Sequence, residues 1–380
     1  MNADYANPAA HLFLANSYDA LRDPRQIQLR YETPWFAEYW LANLLAPVGA
    51  GALSPTVSQN EYSKLFERDG LRLANQTLWT SNGDWQQQTA QSGQFGSFEY
   101  SLDALYRSEN GQRPNNDLEQ LALSATAKVQ ASPADQLLLQ ATWYDATSGD
   151  VLQRYDPAEA NLGLRLEEQL EPALGLGWQH EWRPGVHTLF LEVPWNNRFA
   201  YHNPANAIPF LARDEAGEVM IFDGSAPAPL LDFASRYTGC SAELQQIWQS
   251  GPQTFIGGVR YQTGGFDTAA TTDTSGLPGT ANDPEGTRRY RTDPRLERLT
   301  VYAYDHWQIA KPLLLTAGVS YDQLTQPVNF RTPPLTDDTQ TQDLLAPKLG
   351  LALTPWNEGV WRAFYSRSLS GVSLDQRGRG

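Results

Sequence analysis

The residues that usually perform enzyme chemistry are few in this sequence and widely spaced. The chain has one cysteine, Cys240, so an intramolecular disulfide or a Cys-based zinc site has no support. Its five histidines show neither the HExxH nor the HxH spacing of a metal site. The glycines of GVRYQTGGFD (258–267) are better interpreted as part of a strand than as a phosphate loop. The sequence therefore predicts no enzyme activity, no metal site and no cofactor.

Two charge features bear on what the protein binds. The net charge of −15 is spread along the chain without a basic patch, which argues against nucleic acid as a partner. The stretch GTRRYRTDPRLERL (286–299) concentrates guanidinium groups, which match phosphate oxygens. These groups either contact lipopolysaccharide phosphates or form a solvated loop base with nearby carboxylates. The arginines concerned are Arg288, Arg289, Arg291, Arg295 and Arg298.

Apolar and polar residues alternate with a period of two in the segments that position these residues. In LEQLALSATAKVQASPADQLLLQATWYDATSGD (118–150), two alternating apolar and polar runs flank a Ser-Pro-Ala-Asp turn, the pattern of a β-hairpin. Similar alternating runs occur on both sides of this hairpin, from about residue 70 onward, and most are about 10 to 13 residues long. Soluble strands are mostly shorter, whereas a tilted membrane strand needs roughly 9–11 residues.

Turn lengths and aromatic positions add to this pattern. Short turns near 131, 183, 250, 310 and 355 alternate with long polar segments at about 146–170, 196–239, 265–295 and 325–343. Tight turns on one side and long loops on the other are typical of a transmembrane β-barrel. Many of the 12 Trp and 17 Tyr residues fall near the predicted strand ends, where aromatic rings meet lipid headgroups. We therefore predict an all-β fold, an antiparallel transmembrane β-barrel of about 12–14 strands that is incomplete.

Strand parity assigns residues to the two faces of the predicted barrel. The apolar phase is expected to face lipid, and its chosen members are Leu121, Leu123, Ala125, Leu137, Leu139, Leu174, Leu176 and Val319. The polar phase is expected to line a wet lumen. Its candidates for contact with a ligand are Lys128, Arg260, Tyr302 and Tyr304.

The first 60 residues differ from the remainder. HLFLANSYDALRD and PWFAEYWLANLLAP have apolar spacing compatible with two short helices, and PVGAGALSPTVSQ has the composition of a linker. We expect residues 1–60 to be a short helical or irregular segment, the tail of an upstream domain plus a linker. Residues 61–380 then form the partial barrel.

The C-terminal third carries a family resemblance. DLLAPKLGLALTPWNEGVWRAFYSRSLSGVSLDQ (343–376) resembles a hairpin of TonB-dependent outer-membrane receptors, through Pro347 to Gly350 and Phe364 to Ser368. PLLLTAGVSYDQLT (312–325) and RLERLTVYAYDHWQI (295–309) are similar to the two strands before it. The sequence has neither a TonB-box-like segment nor a globular plug, because truncation removed them or because the barrel does not use TonB.

The resemblance implies a location and a function. It implies the outer membrane of a Gram-negative cell, contact with lipid and lipopolysaccharide, and active uptake of a small ligand of the siderophore, cobalamin or glycan class. It also implies coupling to the TonB complex through the missing plug. Two alternatives stay open, a passive porin-like channel and a soluble β-rich binding or surface protein.

Overall fold

The computed structural model describes residues 41, 43–49, 53, 69–150, 160–204, 207–213, 219–227, 230–273, 286–331, 333–356 and 359–367. Sixteen β-strands lie in these ranges, and helical backbone occurs at 41 and 43–45. The strands are β1 (Gly70–Trp79), β2 (Trp85–Phe95), β3 (Phe98–Glu109), β4 (Leu118–Gln130), β5 (Asp135–Ser148), β6 (Arg165–Arg183), β7 (Val186–His202), β8 (Ala207–Arg213), β9 (Val219–Pro227), β10 (Leu230–Ser250), β11 (Gln253–Asp273), β12 (Thr287–Thr292), β13 (Arg295–Ala310), β14 (Leu313–Pro327), β15 (Thr339–Trp356) and β16 (Gly359–Ser366).

One antiparallel sheet contains most of these strands. Its order follows the chain from β1 to β7, then β10, β11 and β13 to β16, with β12 paired to β11. Strands β8 and β9 form a separate hairpin. Sequential antiparallel neighbours are the arrangement of an up-and-down barrel wall, so the prediction of an all-β antiparallel architecture is confirmed. The main path contains thirteen strands, within the range of about 12–14 predicted from the sequence.

The turns segregate to the two ends of the strands. At one end, which we call the short-turn rim, the described connections are 96–97, 131–134, 184–185, 251–252 and 311–312. At the other end, the long-loop rim, the connections include 110–117 and 328–338, the latter described except at 332. In the chain, the β8–β9 hairpin lies between β7 and β10. In a transmembrane barrel, short turns face the periplasm and long loops face the exterior.

Strands extend further into the long-loop rim than the alternating pattern indicated. β10 begins at Leu230, β6 begins at Arg165, and β11 continues to Asp273. The sequence assigned these stretches to polar loops, and the β8–β9 hairpin and β12 were missed for the same reason. Apolar alternation is needed only where one face meets lipid. A strand that continues beyond the membrane can therefore be polar on both faces and still pair along its backbone.

Burial is inverted relative to a soluble sheet. One face, which we call the inner face, buries polar side chains such as Gln120, Ser124 and Thr126, each with less than a tenth of its surface exposed. The opposite outer face exposes large apolar side chains on the same strand and its neighbours, including Leu123 at 42% and Leu139 at 50%. Water would penalise such an outer face, whereas lipid would not. This distribution is that of a membrane barrel.

The apolar core lies on the inner face. It joins side chains of the strands to Leu41, Leu44 and Leu53, which precede the barrel in sequence. In β7 the inner residues Leu189 and Leu191 are themselves apolar and buried, unlike the polar inner residues of β4. Leu44 reaches the inner wall at Gly177, where an added Cβ would lie 3.2 Å from a methyl carbon of Leu44. The absence of a side chain at this glycine therefore leaves room for Leu44.

In the described part of the chain, no helix is both long enough and apolar enough to cross a bilayer. The first predicted helix of the N-terminal segment, at 11–23, lies outside the described residues, and the second, at 34–47, lies partly outside them.

Candidate functional site: the inner face of the barrel

The segment 43–49 lies against the inner face of β3 and β4. The ammonium of Lys128 donates hydrogen bonds to the carbonyl oxygens of Asn43, at 2.5 Å, and of Ala46. The backbone N–H of Gly49 donates to Oε2 of Glu99 at 2.8 Å. These bonds connect residues more than 45 positions apart. They fix a segment that precedes the barrel to the barrel wall.

Lys128 and Glu99 form a pair with no solvent contact. They face each other directly across β3 and β4, their charged atoms are 3.9 Å apart, and both side chains are 0% exposed. Desolvation makes two such charges costly, and the cost is offset only if each has further partners. Backbone groups of 43–49 supply these partners. The segment and the charge pair therefore stabilise each other.

A second polar group lies on the wall formed by β10, β11 and β13. Nε of Arg260 donates to Oε2 of Glu243 at 2.6 Å, and the hydroxyl of Tyr302 donates to Oε1 of the same carboxylate at 2.5 Å. Gln245 donates to the Tyr302 hydroxyl at 2.8 Å. Tyr302 reaches β10 by lying across Gly258, where a Cβ would come within 2.5 Å of its hydroxyl oxygen. A glycine at this position is required for the side chain to cross β11.

The polar wall continues through β13, β14 and β15. Arg298 donates to Asp322 at 2.8 Å, and the hydroxyl of Thr300 donates to the same carboxylate oxygen at 2.6 Å. Further along the wall, Lys348 donates to the hydroxyl of Tyr304 at 3.0 Å and its ammonium lies 5.0 Å from the ring centre. Positive and negative groups thus alternate on the wall. Such a surface is polar, with little net field of either sign.

A cluster of three aromatic side chains packs on the inner face near the long-loop rim. Tyr237 and Phe266 pair across β10 and β11 with ring centres 4.8 Å apart, and Phe330 of the loop 328–338 packs on Phe266 at 4.1 Å. All three side chains are at least 96% buried. Arg331 lies over the Phe330 ring at 4.8 Å. The loop after β14 therefore folds inward and covers part of the inner wall.

Loops at the long-loop rim are joined by a compact hydrogen-bond network. Arg113 donates to Asp150 at 2.9 Å, and this bond raises the pKa of the guanidinium. The side-chain amide of Asn115, which has a φ of 56°, donates to the carbonyl oxygens of Asn161 and Leu164. Asparagine is among the non-glycine residues that best tolerate positive φ. The network holds the β3–β4 and β5–β6 loops together.

The structure places the four lumen candidates on the inner face but gives them different exposure. Lys128 is fully covered by 43–49, whereas the Arg260 side chain keeps 14% of its surface. Tyr302 is buried and Tyr304 is half-buried. In the described ranges, no group of three or more His, Cys, Asp or Glu side chains is arranged to hold a metal.

The eight residues assigned to lipid occupy the outer face. Leu123, Leu137, Leu139, Leu174, Leu176 and Val319 are exposed, between 40% and 51%. Leu121 and Ala125 share this parity and are half-buried among their neighbours.

The arginine cluster is divided between two locations. Arg291 on β12 pairs with Asp267 at 3.0 Å at the long-loop rim, and both side chains are more than half exposed. Arg298 instead points to the inner face, where its side chain is 11% exposed. The five arginines therefore do not form one phosphate-binding surface.

Sequence reasoning did not identify the inner-face carboxylates. Glu99, Glu243 and Asp322 determine where the basic residues point. Strand parity was the available signal for Glu99, since it belongs to the same polar phase as Ser101 and Asp103. The aromatic group was missed because Tyr237, Phe266 and Phe330 fall in stretches with loop composition.

Solved structures with the same fold are outer-membrane receptors. The siderophore receptor PiuA from Acinetobacter baumannii has a TM-score of 0.55 and 14% identity, over 80% of this chain and 50% of that one. The ferric yersiniabactin uptake receptor FyuA from Yersinia pestis has a TM-score of 0.57 and 10% identity, over 78% and 46%. The copper transporter OprC has a TM-score of 0.54 and 12% identity, over 75% and 43%. No protein-family model and no curated protein matches the sequence.

These findings define the class of protein. The chain has the fold of TonB-dependent outer-membrane receptors, as its C-terminal motifs predicted, and it spans about half the length of the solved receptors it matches. The exposed apolar outer face is suited to contact with lipid, as a membrane-spanning barrel of this fold requires. The names of these neighbours describe receptors and a transporter.

Proposed function

We propose that the protein takes up a small ligand across the outer membrane through a gated barrel, with force supplied by the TonB complex. The observation that carries this proposal is the packing of 43–49 on the inner wall through Lys128 and Glu99. A passive channel needs an unobstructed lumen. A segment that precedes the barrel and binds its wall instead suits a barrel that opens only when this segment moves.

The neighbours and the inner wall support a proposed ligand class. The neighbours are named for siderophore, ferric yersiniabactin and copper transport, so the proposed ligand is a metal chelate of that kind. The charges of the wall are paired, as in Arg260–Glu243 and Arg298–Asp322. Such a wall suits a polar ligand that moves along it without binding tightly to any single charged residue.

The test is uptake by cells that express the complete gene in a strain without its own receptors. Radiolabelled ferric hydroxamate, ferric catecholate, cyanocobalamin and maltodextrin would be supplied in turn, with and without a protonophore. We expect uptake of one of the ferric chelates, and we expect the protonophore to abolish it because TonB transmits the proton-motive force. Uptake that is unaffected by the protonophore would indicate a passive channel and contradict the proposal.

A matched pair of variants tests the gate in the same cells. Lys128→Met removes the bonds to Asn43 and Ala46, whereas Lys348→Met changes an inner-face lysine that bonds Tyr304. The readout is sensitivity to vancomycin, which an intact outer membrane excludes. We expect sensitivity to rise for Lys128→Met and to stay at the wild-type level for Lys348→Met. Equal vancomycin sensitivity of both variants would show that the bonds between Lys128 and the segment 43–49 do not keep the barrel closed.

A further inference from the structure

A polar aromatic cluster interrupts the apolar outer face at the short-turn rim. Its centre is Asp135, the first residue of β5, directly after the turn 131–134. Oδ1 of Asp135 lies 2.8 Å from Nδ1 of His180 and accepts a bond from Nε1 of Trp178 at 3.1 Å. Oδ2 accepts a bond from the hydroxyl of Ser132 at 2.6 Å. The carboxylate is therefore held in one place by three side chains.

Strand pairing fixes the side of the barrel on which this cluster lies. Asp135 pairs with His180, and the next outer pair is Leu137 with Trp178. Leu137 is exposed at 44% on the lipid-facing side, and side chains two residues apart share a face. Asp135 and His180 thus lie on the outer face, at the level where the apolar surface ends.

Three rings form a wall beside the carboxylate. Trp178 and His180 stack with centres 5.8 Å apart, and Trp182 meets the His180 ring edge-on at 4.4 Å. Nε1 of Trp182 donates to Thr188 at 2.8 Å, which holds its indole in position. The side chains of Asp135 and His180 keep 32% and 23% of their surface exposed, and Trp182 keeps 65%. A molecule at the membrane surface can therefore reach both the carboxylate and the ring faces.

The charge of the cluster selects the headgroup. The cluster contains one carboxylate and neither Lys nor Arg. Its members are Ser132, Asp135, Trp178, His180, Trp182 and Thr188. A phosphate would be repelled, whereas an ammonium is attracted both by a carboxylate and by the faces of indole rings. A primary ammonium also donates hydrogen bonds to the exposed carboxylate, which a quaternary one does not.

We propose that the Asp135 cluster is a binding site for a phospholipid whose headgroup carries a primary ammonium, in the leaflet at the short-turn rim. The acyl chains of this lipid lie along the apolar outer face above the cluster, against Leu137, Leu139 and Leu176. The ammonium lies at Asp135, and the indole of Trp182 flanks it. The site is independent of ligand transport, because none of these residues faces the lumen.

Lipid retention measures this site directly. The full-length protein would be reconstituted in equimolar phosphatidylethanolamine, phosphatidylcholine and phosphatidylglycerol, extracted, and examined by native mass spectrometry. We expect phosphatidylethanolamine to be retained roughly three- to fivefold over phosphatidylglycerol, the enrichment of one exposed cation–π and charge contact. We also expect it to be retained over phosphatidylcholine, whose quaternary ammonium cannot donate hydrogen bonds to the carboxylate. In Asp135→Asn this enrichment is lost.

Asp343→Asn is the matched control, because it removes an outer-face carboxylate at the opposite rim, on β15. Its enrichment should equal that of the wild type. Thermal unfolding in vesicles of each pure lipid covers the case in which Asp135→Asn folds poorly, since the comparison is then between lipids within one variant. Retention that is equal for the three lipids, greatest for phosphatidylglycerol, or unchanged in Asp135→Asn would overturn the proposal.

Discussion

Single side chains that cross a strand stabilise the inner wall. Tyr302 starts on β13, passes over Gly258 of β11 and donates to Glu243 of β10. One phenol therefore connects three strands, and it does so beside the ion pair of Glu243 with Arg260. A buried carboxylate destabilises the fold when its hydrogen bonds are not satisfied. The Tyr302 hydroxyl therefore contributes more to the stability of the fold than a surface hydroxyl does.

We expect Tyr302→Phe to lower the free energy of unfolding by about 1–3 kcal/mol, the range for a bond to a charged group that is left partly unsatisfied. The matched control is Tyr321→Phe, since Tyr321 lies on the outer face and is 38% exposed. Its change should stay within about 0.5 kcal/mol. Urea unfolding in vesicles, followed by tryptophan fluorescence, gives both values. Equal losses for the two variants would contradict the role assigned to the Tyr302 hydroxyl.

The sequence indicates a residue's face more readily than its partners. Alternation assigned Lys128 and Arg260 to the polar phase, and both lie on the inner face. The carbonyl groups that bind Lys128 belong to the segment 43–49 and lie 82 and 85 residues upstream in the sequence. Contacts of this kind leave no periodic trace in the sequence, because a backbone carbonyl is present at every residue. They appear only when the segment is placed in the fold.

Strands were predictable from sequence where they cross lipid and not where they leave it. β4 and β5 alternate strictly, since one side meets hydrocarbon and the other meets a polar interior. The upper part of β11 reads GFDTAATTD (265–273), in which Thr and Asp occupy both faces. Backbone pairing with β10 and β12 keeps this part extended. Pairing partners, rather than side-chain pattern, determine strand length above the membrane.

The loop 328–338 shows how a connection at the long-loop rim is fastened. Its inner end is held by Phe330 against Phe266, and its outer end by Asp337. The Asp337 carboxylate accepts a bond from the hydroxyl of Thr292 and another, at 2.9 Å, from the backbone N–H of Asp293. These two bonds lower the pKa of Asp337 from its ordinary value of 3.8. The loop is therefore tied to the β12–β13 corner by an ionised carboxylate.

This contact predicts a response to acid. A carboxylate whose pKa is depressed by folding adds stability that is fully present above its ordinary pKa and is lost as the pH falls through the folded value. The loop should thus remain ordered down to about pH 3.8 and loosen below it. A spin label at Leu335, in a Cys240→Ala background, reports this through the mobility of its spectrum.

Substitutions separate this contact from general acid unfolding. Asp337→Ala should loosen the loop already at neutral pH, whereas Asp338→Ala, at the adjacent position, should leave the label as in the wild type. Mobility that is the same in Asp337→Ala and in the wild type at pH 7 would show that the Asp337 carboxylate does not hold the loop.

Along the described strands, many polar side chains are buried on the inner face, while large apolar side chains are exposed on the outer face. Lys128, Glu99 and Thr142 are among the most buried side chains, while Leu139 and Leu176 are about half exposed. Water would not stabilise this distribution, but a bilayer around a polar interior does. The fold shared with siderophore and copper receptors is consistent with that environment.

The sequence predicted this architecture but does not identify the ligand of the proposed uptake. Alternation, loop rhythm and the C-terminal motifs are general to the fold, and the inner wall pairs its charges rather than displaying one sign. Ligand choice depends on a few side chains and loop positions that vary while the fold persists. Transport assays are therefore needed to identify the ligand, whereas the membrane placement is testable on the barrel itself.

The most direct measurement of that placement is the oxygen accessibility of single spin labels on β4 and β5 in the reconstituted protein, with Cys240 replaced by Ala. Labels at Leu123, Leu137 and Leu139 should show high accessibility to oxygen and low accessibility to a water-soluble nickel complex. Labels at Ser124, Thr126 and Gln140 should show low oxygen accessibility, because these positions are buried on the inner face. Low oxygen accessibility at the three leucines would mean that they contact protein, and would contradict a lipid-facing barrel.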